Sequence, residues 1–429
     1  MKLAELKNKK TAIWGFGVEG QATAEYLSKH NIGFTVLCSE SEAIDCYDCM
    51  TNTVTLDTIN GYDVVIKSPG ISAYADLVQN CTAQIISPTS LWFANESHSN
   101  VIAITGTKGK STTVSLLAHI IKHCGHSVNL VGNIGQALVA SHTEYDYIVL
   151  EASSFQIYDG NIKARIALIT NLYPEHVDWH NGEENYFNDK LKILDHAKTK
   201  IINAENKLLT SKTKDKANLY FNDQEGFNVD SDSLYYKQKE ILKSTDIQLI
   251  GKHNLENIGA ALTVCVCLGF DLMTCVEAIK LFSPLEHRLQ NLGKIGQHYA
   301  INDSIATTPI ATLAAMKVVN LSKTTLLVGG YDRGNDWSDF AQALNDNPPN
   351  RLLISGENGP AIYNHLKQIN ATFQYKLFKS LAEALNDAQL NTPKNHTLLL
   401  SPGAPSFDQF DSYIKRGEFF YKELKKHAA

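Results

Sequence analysis

The chain is short of three things: excess positive charge, long apolar runs and a cysteine framework. Lysine and arginine number 39 against 45 aspartates and glutamates, for a net charge of −6. A nucleic-acid-binding chain carries a basic footprint that this one lacks, so nucleic acid is not expected as a partner. The longest apolar run, residues 259–270, is too short to cross a bilayer and predicts a buried helix, so no membrane partner is expected. The charged start, residues 1–10, leads into a short strand rather than the apolar core of a signal peptide, which points to the cytoplasm. Eight cysteines in 429 residues make no disulfide scaffold. Cys46 and Cys49 form one C-x-x-C, but no second pair follows at zinc spacing, so reduced thiols are expected. Short-period repeats and low-complexity linkers are also missing.

What is present is an α/β pattern repeated at domain scale. Strands ending in glycine or polar residues alternate with helices, which predicts mostly parallel sheets with helices on their faces. Three domains are expected: a Rossmann-like one over residues 1–93, a central phosphate-loop one over 94–284 and a second Rossmann-like one over 285–429.

Two stretches are predicted to hold phosphate. "GFGVEG" places Gly15, Gly17 and Gly20 between a strand and a helix, with Glu40 about twenty residues on. This is the dinucleotide fingerprint in its proper context, where a diphosphate rests on a helix N-terminus. A tight packing turn would use the same glycines, and the residues leave open whether NAD or a UDP-sugar would bind. "AITGTKGKST" has Gly109-Lys110-Ser111 of a phosphate loop, yet its earlier glycine, Gly106, stands only three residues back. The amides around Thr107 to Lys110 would face a phosphate. Lys110 supplies a point charge and Ser111 a hydroxyl for Mg²⁺. Glu151 ends the strand "YIVLE" and fits a hard cation's preference for oxygen. His176 follows the next strand as a candidate second metal ligand, although a surface histidine is the plainer reading. Lys190, in the helical "YFNDKLK", reads by itself as an ordinary surface lysine.

Seven ordered motifs then resemble one family. "TGTKGKST", "LEASSFQ", "HVDWH…YFNDK", "GKHNLENIGAAL", "LEHRLQ", "INDS" and "SPGAPSFDQFDSYIKRGEFF" are similar to the Mur ligases, over residues 11–421. The resemblance is greatest to the branch that adds glutamate to UDP-N-acetylmuramoyl-L-alanine for peptidoglycan synthesis. It implies an ADP-forming amide ligase working through an acyl phosphate, with ATP, two Mg²⁺ ions and a CO₂-derived carbamate on a lysine. The implied ATP site comprises Gly106, Thr107, Lys108, Gly109, Lys110, Ser111 and Thr112, with Asn254, Asn257, Arg288 and Asp303. Ser111, Glu151, His176 and the carbamate of Lys190 would hold metal; with Lys110, the last three would be catalytic. Val18, Glu19, Ser68, Pro69, Gly70, Asn133 and His176 would contact the UDP-muramoyl substrate, so the first fingerprint is expected to hold UDP rather than NAD. Thr307, Arg333, Ser406 and Tyr413 would hold glutamate. A monomer is expected.

The departures cluster around the glutamate pocket. Where the usual ligase reads Asn-Asp-Ser-Lys-Ala-Thr, this chain has "NDSIATTP", with Ile305 in place of a lysine. Arg333 stands where some members carry a lysine, and Ala404 and Pro405 alter the turn before Ser406. D-glutamate is the family default. A branch that adds L-glutamate has a start and a "SIATTP"-like run similar to those here, which makes L-glutamate the alternative. A folylpolyglutamate-synthase-like ligase fits less well, because a complete α/β unit precedes the phosphate loop. A dehydrogenase would leave that loop, Glu151 and Lys190 without purpose. A non-catalytic nucleotide-binding regulator would consume no ATP.

Overall fold

A computed structural model describes residues 1–44, 46–213, 216–249, 251–283, 286–334 and 336–426. The chain forms two compact units, Met1–Asp246 with Lys252–Phe282, and Ile247–Gly251 with Ser283–Ala429. The boundary expected at residues 284–285 lies outside the described residues.

The first unit contains two parallel sheets. In the first, β1 (Thr11–Trp14), β2 (Thr35–Leu37), β3 (Cys49–Met50), β4 (Val64–Lys67) and β5 (Gln84–Ile86) lie in the order β3-β2-β1-β4-β5. All neighbours are parallel. The strand order reverses between β1 and β4, and in such sheets the ligand crevice opens at that point, beyond the carboxyl ends. A short helix, Leu3–Leu6, precedes β1, where the sequence suggested a direct entry into the strand.

The second sheet has β6 (Val101–Thr105), β7 (Val128–Gly132), β8 (Tyr147–Glu151), β9 (Ile166–Ile169), β10 (Thr199–Asn203) and β11 (Leu219–Phe221), in the order β11-β10-β9-β6-β8-β7. All its pairs are parallel. Helices cover both faces, so β6, β8 and β9 are buried along their whole length and read as near-continuous apolar runs. Ile104 pairs with Glu151 and Thr105 with Ile169, so the polar ends of three strands emerge side by side. The run at 259–270 lies mostly within the buried helix Lys252–Leu268, as expected. A small antiparallel sheet follows the large one: β12 (Phe227–Asp230), β13 (Ser233–Tyr236) and β14 (Lys239–Lys243). Among the described residues, no helix is long and apolar enough to cross a membrane.

The second unit holds β15 (Gln290–Ile295), β16 (His298–Asn302), β17 (Thr324–Val328), β18 (Arg351–Ile354), β19 (Tyr375–Leu377) and β20 (Thr397–Leu400), in the order β15-β16-β20-β17-β18-β19. Only the β15–β16 edge is antiparallel; the rest is a parallel sheet. All eight cysteines are free thiols.

Candidate functional site

The first unit carries two adjoining sites, each built on a strand-to-helix turn. At the first, Gly15 and Gly17 lead from β1 into the helix Val18–Lys29. The Ser68 hydroxyl donates to the Gly15 carbonyl at 2.8 Å, joining this turn to the one after β4. Between them opens a cavity of about 900 Å³. Val18, Glu19, Ser68, Pro69, Gly70 and Asn133 all line it; His176 does not. The fingerprint acid is misplaced by spacing alone. Glu40 is exposed, whereas Glu42 lies on the cavity wall. A 3₁₀ turn, Glu40–Glu42, folds Glu42 back so that its carboxylate accepts from the Ser39 amide at 3.2 Å and hydroxyl at 3.0 Å.

Sequence reasoning also missed Gln156. The helix Ser154–Gly160 follows β8 and is capped by Ser153. Its Gln156 lines the cavity and donates to Glu19 at 2.7 Å. The other oxygen of Glu19 is buried with no hydrogen-bond partner among the described residues. Burial raises the Glu19 pKa above the ordinary carboxylate value, against the hydrogen bond from Gln156.

The second site is the short phosphate loop between β6 and the helix Lys110–His123. Its two glycines are sterically required. A Cβ on Gly106 (φ +152°) would lie 1.8 Å from the Thr170 hydroxyl, and one on Gly109 (φ +84°) would lie 2.3 Å from the Asn257 side chain. The compact spacing thus lets the loop turn between β9's end and the helix Lys252–Leu268. No side chain caps the helix that follows, so its first amides face outward for an anion. Thr107 and Ser111 are buried, Thr112 is half-buried and Lys108 is exposed beside Glu175. Asn257 donates to Asn254 at 3.1 Å, and both are buried.

Lys190 is not the surface lysine that its local sequence suggested. The helix Glu183–Leu191 turns it inward, leaving it 2% exposed. Its Nζ donates to the Gly106 carbonyl at 3.1 Å; Lys110 Nζ donates to that same oxygen at 2.8 Å and to the Thr107 carbonyl at 3.0 Å. Burial pushes the Lys190 pKa well below the usual lysine value, Lys110's charge pushes the same way, and Glu175 opposes them.

Glu151 is not solvated either, being fully buried. Asn133 donates to its Oε1 at 3.0 Å, while Oε2 has no partner among the described residues. Asn133 therefore touches both sites, as cavity wall and as the holder of Glu151. His176 adopts φ +55°, lies tilted against the Phe155 ring with centroids 5.0 Å apart and is half-exposed, 3.8 Å from Glu175. Burial lowers its pKa against the Glu175 charge, and Lys190 and Lys110 add to the lowering, which favours a neutral ring. Among the described residues, no three His, Cys, Asp or Glu side chains gather as a metal cluster. A cation here would draw on Glu151, His176 and donors of other kinds.

The remaining candidates lie in the second unit. Asp303 accepts from Ser401 at 2.7 Å and from the Leu289 amide at 3.0 Å. Burial raises its pKa to about 6, with Ser401, Leu289 and Arg288 opposing. The Nε of Arg288 and the Oγ of Ser406 are buried without partners among the described residues. Thr307 and Tyr413 are half-buried, and Arg333 is exposed. Arg416, not singled out in the sequence, organises this region. Its buried guanidinium donates to the Ser304 hydroxyl (3.0 Å), the Ser304 carbonyl (2.8 Å) and the Pro405 carbonyl (3.1 Å). It thereby brings the Ser304–Thr307 segment beside the Ala404–Ser406 turn.

The chain is similar to known proteins. The family described as "Mur ligase middle domain" matches residues 104–265. The UDP-N-acetylmuramoyl-L-alanine–L-glutamate ligase of Xanthomonas euvesicatoria is 37% identical, over 98% of this chain and 96% of that protein. The enzyme of the same name from Xylella fastidiosa Temecula1 is 36% identical with the same coverage. Among solved structures, the UDP-N-acetylmuramate–alanine ligase MurC of Thermotoga maritima has a TM-score of 0.62 at 20% identity, covering 98% of this chain and all of that one. MurF ligase of Thermotoga maritima in complex with ADP has a TM-score of 0.60 at 14% identity, covering 99% and 96%. These two likenesses establish the fold.

Proposed function

We propose, for a chain that belongs to the Mur ligase family and uses ATP to join glutamate to UDP-N-acetylmuramoyl-L-alanine in peptidoglycan synthesis, that its amino acid is L-glutamate and that its two adjoining sites divide the work. One observation carries the division: two lysine amines meet on the Gly106 carbonyl, at the strand end next to Glu151.

In this reading residues 1–93 bind UDP, 94–284 bind ATP and 285–429 deliver glutamate. The cavity takes the UDP-muramoyl group, with its diphosphate against Val18, Glu19, Ser68, Pro69 and Gly70. The alanyl carboxylate approaches Asn133 and His176. Residues 106–112 cradle the ATP phosphates, Lys110 neutralising charge as it moves to the leaving oxygen. Asn254, Asn257, Arg288 and Asp303 hold the rest of ATP. The carboxylate oxygen attacks the γ-phosphorus, an O–P bond forms and ADP leaves. The glutamate amine, oriented through Thr307, Arg333, Ser406 and Tyr413, attacks the acyl carbon. The tetrahedral intermediate breaks its C–O bond to expel phosphate, and the nitrogen's proton passes to the departing phosphate. Holding both reactants in line removes most of the entropic barrier.

The residues fit Mg²⁺. Glu151 has a buried oxygen without a partner, His176 favours its neutral form and Ser111 is buried at the helix start. Ser111 and Glu151 would hold one ion; His176 and Lys190, as a carbamate, would hold the second. Bound there, Mg²⁺ supplies charge neutralisation to the phosphates. The depressed pKa of Lys190 supports the carbamate, because only a neutral amine attacks CO₂. Its lone pair forms the N–C bond, one C=O pair moves onto oxygen and the N–H proton passes to water.

The preference for L-glutamate, the second of the two enantiomers that the sequence allowed, is supported by the relatives' names and by Ile305, Ala404 and Pro405. Single-chain action in the cytoplasm belongs to the same reading. ADP release should require UDP-N-acetylmuramoyl-L-alanine and proceed faster with L- than with D-glutamate. Faster turnover with D-glutamate would overturn the assigned enantiomer, and turnover without the muramoyl nucleotide would overturn the division of sites.

A further inference from the structure

A buried polar chain runs from the nucleotide cavity to the residue beside Lys190. Asp189 immediately precedes that lysine and is 1% exposed. Its Oδ2 accepts from His180 Nδ1 at 2.8 Å and from the Tyr74 hydroxyl at 2.9 Å, while Oδ1 accepts from Lys192 at 2.8 Å. His180 is fully buried, and its Nε2 meets the Ser154 hydroxyl at 2.9 Å. A carboxylate only accepts, so His180 carries its proton on Nδ1, and in the neutral ring Ser154 donates to Nε2. Ser154 stands three residues past Glu151. Tyr74 belongs to the segment after β4, whose Ser68–Ile71 stretch lines the cavity. That segment is also joined to the His180 side by Trp179 Nε1 donating to the Gly70 carbonyl at 3.2 Å and by the Ser72 hydroxyl donating to the Trp179 carbonyl.

We infer that Asp189 and His180 are positioning residues for Lys190, and that Tyr74 couples occupancy of the nucleotide cavity to the lysine's carbamate. The inference rests on the reading of Lys190 given above. A helix is free to slide and rotate unless something directional grips it, and the helix Glu183–Leu191 has no side-chain N-cap. Apolar packing of Tyr186, Phe187 and Leu191 sets its depth and restricts its rotation, the Tyr186 hydroxyl meets Thr107 at 2.9 Å, and Asp189 adds a second directional grip beside Lys190. A buried carboxyl group that accepts from His180, Tyr74 and Lys192 pins the helix rotation at its own position, and therefore restricts where the neighbouring Lys190 amine points. The amine's contact with the Gly106 carbonyl is what that rotation sets. The Tyr74 link lies on the substrate side, so a nucleotide that orders residues 68–74 favours the same helix position.

The test uses the full chain in isotope-labelled bicarbonate, reading the lysine carbamate resonance that Lys190→Ala lacks. In the wild type, UDP-N-acetylmuramoyl-L-alanine should strengthen this resonance. Tyr74→Phe removes one hydroxyl and leaves the ring in place. It should raise the bicarbonate needed for half-maximal turnover by roughly fivefold, the scale of one lost hydrogen bond, and abolish the strengthening by substrate. Excess bicarbonate should restore kcat, and KM for ATP should not move. His180→Gln should shift bicarbonate dependence the same way, with thermal melts confirming the fold. Wild-type bicarbonate dependence in both variants, or lost activity that bicarbonate does not restore, would overturn the inference while leaving the ligase reading intact. A wild type that releases ADP without any carbamate resonance would overturn the carbamate reading and this inference with it.

Discussion

The turns at Gly15–Gly20 and Gly106–Ser111 share a plan. Each leaves a parallel strand at its carboxyl end, and each opens a helix whose first amides no side chain caps. They differ in charge. Among the described residues, no lysine or arginine lines the first cavity, and the charged groups on its wall are the acids Glu19 and Glu42. The second turn draws two lysine amines onto one carbonyl. A diphosphate that is only bound can be held by amides and hydroxyls. A phosphoryl group being transferred needs a fixed cation where charge moves, the role read for Lys110, whereas Lys190, a neutral amine or carbamate in that reading, adds no positive charge. In the proposed reading the contrast separates a holding site from a reacting one in a single compact unit.

The largest effect expected from breaking the contrast is at the reacting turn. Glu151→Gln keeps an acceptor for Asn133 and removes the buried negative charge. Turnover should fall on the order of 10²–10³-fold, the usual loss for a charge-stabilising group, with KM for the muramoyl nucleotide nearly unchanged. A parallel loss of nucleotide binding, measured by calorimetry, would erase the distinction between the two turns.

An intermediate effect is expected in the second unit and concerns stability. Burial raises Asp303 from 3.8 to about 6. Below 3.8 the folded and unfolded chains both hold the proton, so the group costs nothing. As pH climbs to about 6 the unfolded chain ionises while the folded one does not, and stability falls; the full cost, up to about 3 kcal/mol, is present above that value. Asp303→Asn should remove this slope, seen as a flatter pH profile in urea unfolding. An unchanged profile would refute the burial account.

The smallest effect belongs to the holding turn. Ionised Glu19 would repel a diphosphate, so KM for the muramoyl nucleotide should rise a few-fold as pH climbs through the raised Glu19 pKa. Glu19→Gln should flatten that rise and leave kcat alone. A large kcat effect would make Glu19 part of the reacting site.

Local signals in the sequence revealed most of this. Strand, glycine turn and helix follow one another within a dozen residues, so both phosphate turns and the parallel sheets were legible. The burial of Lys190 was not, because it depends on the Gly106 carbonyl 84 positions away. His180 carries no local signal either, since Ser154 and Asp189 reach it from separate elements and Tyr74 joins through Asp189. The choice of Glu42 over Glu40 depends on a single 3₁₀ turn that motif spacing does not encode. The antiparallel β12–β14 sheet was missed because its strands are only four or five residues long and their burial alternates weakly. Arg416 was not singled out because its role rests on hydrogen bonds to Ser304 and Pro405, far from it in sequence or on another loop.

Lys190→Ala provides the most direct test of the division between holding and reacting. Calorimetry with UDP-N-acetylmuramoyl-L-alanine and an ADP-release assay should be run on one preparation of this variant. Nucleotide affinity should fall no more than about fivefold, the scale of the Tyr74 coupling, since Lys190 does not line the cavity, while ADP release disappears. Retained turnover, or nucleotide affinity lost together with turnover, would contradict it.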